Sequence, residues 1–337
     1  MELNNFSKNR ILVNPDEIFL HNAWDDASWT DEQISDALNI IEKNSKNKLD
    51  EETIKNYENK ASFYWDEFYA THENNFFKNR LWLFTEFSEI LTKSNNGLAI
   101  TQRSNNATLP FLPLYKYFFS LPKLNEQKMT DDFLRESYNI FEIGCGVGNT
   151  IYPIIEKIKD KHSYIFGCDF SQHAIKVLKS NPSYDATKCH VFLCDITQED
   201  VNLKFPFPIN SIDVIILIFV LSSIHPLKLK PAITQILPYL KVGGYILIRD
   251  YGRYDLAQLR FKQGKCLGDN FYVRCDGTRA YFFTQEEMRN LFLDLNGGKQ
   301  NNQLIEIQNI MDKRIIVNRK KMLKMHRVWI QCKYQKI

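Results

Sequence analysis

Three glycines at alternate positions, Gly144, Gly146 and Gly148, give the clearest indication of chemistry in this sequence. They follow an apolar run that predicts a strand, and they precede a stretch that predicts a helix. Glycine has no Cβ, so backbone N–H groups in such a turn can approach a ligand closely, and the helix N-terminus favours a carboxylate or phosphate. A dinucleotide fingerprint needs glycine at the sixth place of the motif, where this chain has Asn149, so the spacing disfavours a NAD enzyme.

An acidic residue, Glu142, lies two positions before the first glycine. Together with the three glycines, it resembles the first motif of class I methyltransferases. The resemblance implies S-adenosylmethionine as the cofactor, because this motif suits the carboxylate and ammonium of methionine better than a pyrophosphate.

Aspartates end the next two predicted strands. Asp169 comes 21 residues after Gly148, where a carboxylate can accept hydrogen bonds from both hydroxyls of a ribose. Asp195 is placed to accept from an adenine amino group, with Ile196 against the ring. A single strand-end aspartate often only caps a helix. Acids at successive strand ends, however, meet at the carboxyl edge of a parallel sheet, where open α/β proteins bind ligands.

Strands alternate with helices from residue 138 onward. Apolar strands separated by amphipathic helices predict a doubly wound, mainly parallel, seven-stranded Rossmann-like sheet that is covered on both faces. The predicted strands are 138–143, 164–169, 190–194, 212–219 and 245–250, followed by two β-rich runs, 305–317 and 327–334, that could close the sheet as an antiparallel pair. The predicted helices are 172–180, 231–240 and 285–295.

The chain divides into three parts by composition. Residues 1–93 predict an N-terminal helical extension, because apolar and aromatic side chains recur at helical spacing. Residues 94–135, punctuated by proline, serine and asparagine, predict an irregular connector with one short aromatic helix at 115–119. Residues 136–337 predict the α/β domain.

Composition excludes several classes of protein. No segment approaches the ~18 apolar residues that a membrane helix needs, so we expect no membrane partner. The seven cysteines are odd in number and include no C-x-x-C pair, which disfavours a disulfide framework and a metal site. Free thiols favour a reducing compartment, so we expect a cytoplasmic, or alternatively nuclear, location.

Positive charge is concentrated near the C-terminus. The net charge is only +3, yet residues 312–337 contain nine Lys and Arg and a single acid. Such a basic tail is typical of a phosphate-contacting surface, although a solubilising edge would have the same composition.

Eight further stretches resemble a particular family, the eukaryotic tRNA 3-methylcytidine methyltransferases. They are WDEFY at 65–69, FFKNRLWLFTEF at 76–87, DFS at 169–171, IFVLSSIHP at 218–226, RDYGRYD at 249–255, FYVR at 271–274, DGTR at 276–279 and YFFT at 281–284. The resemblance covers nearly the whole chain, and residues 19–24 and 317–334 are similar to the branch that acts on threonine-type tRNA. One departure is Leu81, where relatives commonly have histidine.

The family resemblance implies methylation of N3 of an anticodon-loop cytidine, at position 32 of threonine-type and also arginine-type tRNA. It implies that cofactor-contacting residues come from the helical extension and from the strand ends. The implied cofactor contacts are Trp65, Tyr69, Gly144, Asp169, Phe170, Asp195 and Ile218. An accessory protein or an aminoacyl-tRNA synthetase could supply part of the specificity.

Cytidine N3 is unprotonated near neutral pH and can attack a sulfonium methyl directly, so no strong base is required. The protein has to align the displacement and stabilise the positive charge on the base. We expect Asp250, at the end of the fifth strand, to accept from the cytosine amine; the alternative is a structural pairing with Arg249 or Arg253. Phe76, Arg80 and Tyr251 are candidates for holding a splayed base by stacking.

Basic residues near the fifth strand and in the tail are expected to contact phosphates of an anticodon stem-loop. The candidates are Arg253, Arg260, Arg274, Arg279, Arg314, Arg319, Lys320 and Lys321.

Two alternative functions are compatible with the same predicted fold. One is a class I methyltransferase of proteins or small molecules, and the other is a catalytically inactive RNA-binding adaptor.

Overall fold

The computed structural model describes residues 10–91, 131–158, 163–198, 205–294 and 304–337. Most of the predicted connector, including its short aromatic helix, lies outside the described residues. No helix among these residues is long and apolar enough to cross a membrane.

Helices and strands alternate along the described part of the chain as the sequence predicts. The helices are α1 (Asp31–Ser45), α2 (Glu51–Asn59), α3 (Ala61–His72), α4 (Leu83–Glu86), α5 (Asp131–Glu136), α6 (Ile151–Lys157), α7 (Gln172–Ser180), α8 (Pro226–Ile236), α9 (Leu256–Leu259) and α10 (Gln285–Leu293). The strands are β1 (Ala23–Trp24), β2 (Tyr138–Ile143), β3 (Ser163–Asp169), β4 (Cys189–Leu193), β5 (Ile212–Ile218), β6 (Leu240–Tyr251), β7 (Cys266–Gly268), β8 (Phe271–Val273), β9 (Arg279–Tyr281), β10 (Leu304–Asn318) and β11 (Leu323–Lys336).

The main sheet has the order β1-β10-β11-β6-β5-β2-β3-β4. Strands β4, β3, β2, β5 and β6 are parallel, and β11, β10 and β1 continue the sheet with antiparallel pairing. The seven predicted strands are therefore confirmed, and so is the antiparallel pair at the end of the chain. The eighth, β1, has two residues and is too short to show any periodicity in the sequence.

Apolar clusters cover both faces of the parallel strands. Alternate residues of β2 illustrate this, because Phe141 and Ile143 belong to one cluster and Tyr138 and Ile140 to the other. Helices α8 and α10 pack with the first cluster, and α6 and α7 with the second. Burial on both faces explains why these strands read as nearly continuous apolar runs.

Helix α8 begins earlier than predicted. The sequence prediction took Pro231 as the first helical residue, whereas Pro226 occupies that place and Pro231 lies inside the helix. The Nδ1 of His225 accepts from the backbone N–H of Leu227 at 3.2 Å and caps the helix. Proline is favoured at the first helical position, and the His225 ring satisfies one of the N–H groups that a helix start leaves without an intrahelical partner.

The helical extension packs on a second, three-stranded sheet that the sequence did not reveal. This sheet has the order β7-β8-β9, and its strands of three residues are too short to show an alternating pattern. Tyr57 of α2 packs against Phe271 and Val273 of β8. The sheet thereby holds α2 and α3 against the carboxyl edge of the main sheet.

Candidate cofactor-binding and active site

The turn after β2 has a backbone that requires glycine. Gly144, Gly146 and Gly148 have φ values of +66°, +51° and +91°, in the left-handed region that other residues rarely adopt. A Cβ on Gly146 would lie 2.5 Å from the hydroxyl of Tyr69. The turn therefore allows α3 to approach closely, and its shape is the open cradle that the sequence predicts.

Asp169 holds this turn in place from the end of β3. Its Oδ2 accepts from Gly146 N–H at 2.9 Å, and its Oδ1 accepts from Ser171 N–H at 2.9 Å. Burial raises the pKa of Asp169 to about 6, against the lowering effect of these two N–H groups. The carboxylate still lines the adjoining cleft, where a pair of hydroxyl groups could donate to it.

The cleft encloses about 870 Å³, including space open to solvent. Its lining includes seven of the predicted cofactor residues: Trp65, Tyr69, Gly144, Asp169, Phe170, Asp195 and Ile196. Asp195 is fixed by Thr197, whose N–H and hydroxyl both donate to Oδ1 at 2.8 Å. Residues 58–69 of α2 and α3 cover the cleft, and we call them the cleft roof.

Four predicted cofactor residues lie behind the wall of the cleft instead of in it. Gly146 and Gly148 shape the turn. Ile218 is 1% exposed and packs in the core, whereas the next residue, Phe219, lines the cleft. Glu142 is also buried, with Oε1 3.5 Å from Arg80 Nη1.

Burial of Glu142 has an electrostatic consequence. Desolvation raises its pKa to about 8, and this effect outweighs the opposing charge of Arg80. Its Oε2 has no hydrogen-bond partner among the described residues. A carboxyl group with this pKa is mainly protonated near neutral pH, so Glu142 supports the glycine turn from behind and does not present a charge to the cleft.

Asp250 is placed differently from the prediction. Its carboxyl group is fully buried, and it accepts from the N–H groups of Ser222 and Tyr251 at 3.0 and 2.8 Å. The structure therefore does not bring it to the cleft as a base contact. It fixes the short helical turn Leu221–Ser223 through the N–H of Ser222. We call this turn the floor turn, because Ser223 and the flanking residues Val220 and Ile224 line the cleft.

The three other residues proposed to hold the base are not cleft-lining either. Tyr251 lies behind Phe219, with ring centroids 5.1 Å apart. Arg80 donates to the hydroxyl of Thr150 at 3.0 Å. Phe76 is 54% exposed at the outer side of an aromatic cluster on α3.

The eight predicted RNA-contacting residues separate into two groups. Arg319, Lys320 and Lys321 are exposed at the tip of the β10–β11 hairpin, and Arg260 is exposed after α9. The other four are engaged within the protein: Arg253 pairs with Glu287, Arg274 donates to Thr278 and to the carbonyl of Arg279, Arg279 pairs with Glu58, and Arg314 pairs with Asp25, Glu86 and Asp312.

Sequence reasoning missed several cleft residues. Phe219 has a φ of +58° and follows β5 directly, so the strand-end rule that found Asp169 would also have found it. Ser223 and His225, which belong to the family-like stretch 218–226, also line the cleft, and so do Glu58, Asn59, Ser62 and Lys228. The types and spacing of the last four carry no motif, because these residues meet only through the packing of α2 on β8 and α8.

Comparison with known proteins places this geometry in a family. A family model described as "Methyltransferase domain" matches residues 141–246. The tRNA N(3)-cytidine methyltransferase METTL2 of Xenopus tropicalis is 44% identical over 334 residues, covering 97% of this chain and 93% of that protein. The chain belongs to the tRNA N(3)-methylcytidine methyltransferase family.

The match extends across distant members of the tRNA N(3)-methylcytidine methyltransferase family. The human protein named METTL2B is 42% identical and the fission-yeast protein named trm140 is 38% identical, each over 97% of this chain. The predicted class I fold and the enzyme class are confirmed. S-adenosylmethionine is the methyl donor. The glycine turn fits its carboxylate, and the carboxylates of Asp169 and Asp195, which line the cleft, fit its hydroxyl and amino groups.

We expect Gly146→Ala to weaken cofactor binding at least tenfold, or roughly 1.4 kcal/mol. The new Cβ would strain the left-handed backbone and push against Tyr69. Titration calorimetry with S-adenosylhomocysteine measures the effect. Gly268→Ala is the matched control, because its Cβ would meet nothing within 4 Å. Equal affinities of the two variants would contradict this account of the turn.

Cofactor affinity should fall as the pH is lowered through the pKa of Asp169, which is about 6. Its carboxylate accepts hydrogen bonds from hydroxyl groups, and the protonated form loses part of this capacity. The dissociation constant of S-adenosylhomocysteine, measured from about pH 5 to about pH 8, should therefore rise below about pH 6. In Asp169→Asn binding should be weak throughout, and a pH profile that keeps the wild-type shape would assign the titration to another group.

Proposed function

We propose that this protein transfers a methyl group to N3 of a cytidine in the anticodon loop of tRNA. The observation that carries the proposal is a complete cofactor cleft in a chain whose relatives, named for this reaction, match 97% of its length. Threonine-type tRNA, and also arginine-type tRNA, is the narrower substrate that the sequence resemblance favours.

Methyl transfer to cytidine N3 does not require a strong general base from the protein. The methyl donor supplies an electrophilic methyl group, and cytidine N3 offers an in-plane lone pair. The protein must hold the base in line and accommodate the positive charge that develops on it. N3 takes part in base pairing, so the base must be unpaired or turned outward. A loop cytidine satisfies that requirement at low energetic cost.

Phe219 is the residue best placed to pack against such a base. Its ring lines the cleft and is backed by Tyr251, over which the guanidinium of Arg274 lies at 5.7 Å from the centroid. An aromatic surface supported by a cation suits a splayed pyrimidine. Phe76, exposed in the segment that follows α3, is proposed to stack on a neighbouring nucleotide.

Asp250 is proposed as a positioning residue for the same step. By accepting from Ser222 N–H, it fixes the floor turn that begins directly after Phe219 and Val220. Burial raises its pKa to about 6, so the group is mainly ionised near neutral pH and attracts the positive charge developing on a base. Asp250 would then act by orienting the floor turn and by attracting the positive charge on the base, without touching the base directly.

Purified protein should convert a loop cytidine of unmodified tRNA to 3-methylcytidine, as detected by mass spectrometry of nucleosides. Asp169→Ala should lose most of this activity, because the turn that holds the cofactor loses its anchor. Methyl transfer to protein, with none to tRNA, would reject the proposed substrate class. Cofactor binding without any transfer would instead favour the RNA-binding adaptor.

The hairpin tip is proposed to contact the tRNA backbone through Arg319, Lys320 and Lys321, which are exposed. Replacing all three with alanine should raise the KM for tRNA and flatten its dependence on salt, because up to three phosphate contacts are lost. Steady-state kinetics at several salt concentrations measures both effects. Lys179→Ala, an exposed lysine at the end of α7, is the control. An unchanged salt slope in the triple variant would exclude the tip from the tRNA interface.

The contribution of an accessory protein or an aminoacyl-tRNA synthetase to specificity stays a prediction, and so does the cytoplasmic or nuclear location of the protein.

A further inference from the structure

Glu58 is the centre of an ion-pair cluster at the cleft that the reaction itself does not require. We propose that Glu58 is a latch, which fastens the cleft roof to the floor turn and thereby limits how fast the cofactor leaves. It would be a positioning residue and not a catalytic one. The inference concerns the cofactor alone, so it does not depend on which base accepts the methyl group.

Glu58 reaches two cations from the end of α2. Its Oε2 pairs with Nη1 of Arg279, and its Oε1 lies 2.6 Å from Nζ of Lys228. Arg279 belongs to β9 and Lys228 to α8. One carboxylate of the roof therefore contacts both the small sheet and the helix that follows the floor turn.

Arg279 carries the connection onward to the floor. Its Nη2 donates to the carbonyl of Ser223 at 3.0 Å, and its guanidinium lies 5.6 Å from the ring centroid of Phe271. Asp250 holds the same turn from the other side through Ser222 N–H. The floor turn is thus fixed by two buried charged groups, of which only Arg279 is also joined to the roof.

Burial makes this pair difficult to open. Arg279 is 6% exposed, and desolvation lowers its pKa while Glu58 raises it. If the roof moved away, the guanidinium would keep the carbonyl of Ser223 and the attraction of Asp195 but lose its ion-pair partner, which is costly for a buried ion. Lys228 is about half exposed, so its contact with Glu58 should contribute much less.

The far end of the roof has a separate attachment. Asp66 of α3 accepts from the hydroxyl of Ser171 at 2.6 Å and from His173 N–H at 3.0 Å. These bonds tie α3 to the start of α7. Trp65 lies next to this attachment, whereas Glu58 and Asn59 are attached through the latch and through the packing of Tyr57 on the small sheet. Loss of Glu58 should therefore loosen one end of the roof and leave the other in place.

The test is the release rate of S-adenosylhomocysteine from the full-length protein. Stopped-flow tryptophan fluorescence can follow release, because Trp65 lines the cleft. We expect Glu58→Gln to release the ligand at least about tenfold faster and Lys228→Gln about threefold faster, with a smaller change in the association rate. Glu52→Gln is the matched control, since Glu52 is an exposed acid on the same helix, and its release rate should not change.

A second readout separates a latch from general destabilisation. Hydrogen exchange at residues 51–62 should be faster in Glu58→Gln, while exchange at residues 66–72 should stay as in the wild type. A release rate within twofold of the wild type in Glu58→Gln would overturn the proposal, and so would an equal increase in Glu52→Gln. If Glu58→Gln does not fold, Lys228→Gln decides, and an unchanged release rate in that variant would also overturn it.

Discussion

The carboxylate of Asp169 accepts hydrogen bonds from Gly146 and Ser171, and so joins the turn after β2 to the turn after β3. These two turns form the part of the cleft that is predicted to bind the cofactor. Ser171 in turn donates to Asp66, so the roof is attached to the same chain of hydrogen bonds. A buried carboxylate with two backbone donors is held in one orientation, and the positions of α3, α7 and the glycine turn follow from it.

The sequence predicted the sheet and the cofactor half of the site because both depend on local patterns. The strands that form the parallel sheet are nearly all apolar, and Gly144, Asp169 and Asp195 occupy strand ends that topology brings to one edge. Residues such as Glu58 and Lys228 come from α2 and α8, which meet only in the folded chain. No spacing in the sequence could connect them, since their proximity depends on how the helical extension packs against the small sheet.

The charged residues show a different limit of sequence reasoning. The sequence predicts phosphate contacts for arginines near β6 and in the basic tail, yet Arg253, Arg279 and Arg314 pair with acidic side chains of the protein. The composition gives the number of charged side chains, but it does not show which of them form ion pairs within the folded protein. The exposed cations at the hairpin tip are different, because Arg319, Lys320 and Lys321 fall in a turn where few acids are near in sequence. A turn projecting from two long strands leaves its side chains in solvent, where a polyanion can reach them.

The backbone of Phe219 has a consequence for how this protein could be stabilised. A bulky residue at a φ of +58° is unfavourable, and here the conformation is held by the bond from Phe219 N–H to the carbonyl of Arg249 at 2.8 Å. Strain of this kind is commonly on the order of 1–3 kcal/mol. Glycine would relieve this strain, but it would also remove the packing of the ring on Tyr251 and on the apolar cluster behind β5, a loss of about 3 kcal/mol or more for a packed aromatic ring. The strained backbone is therefore retained because the same ring that requires it also stabilises the surrounding core.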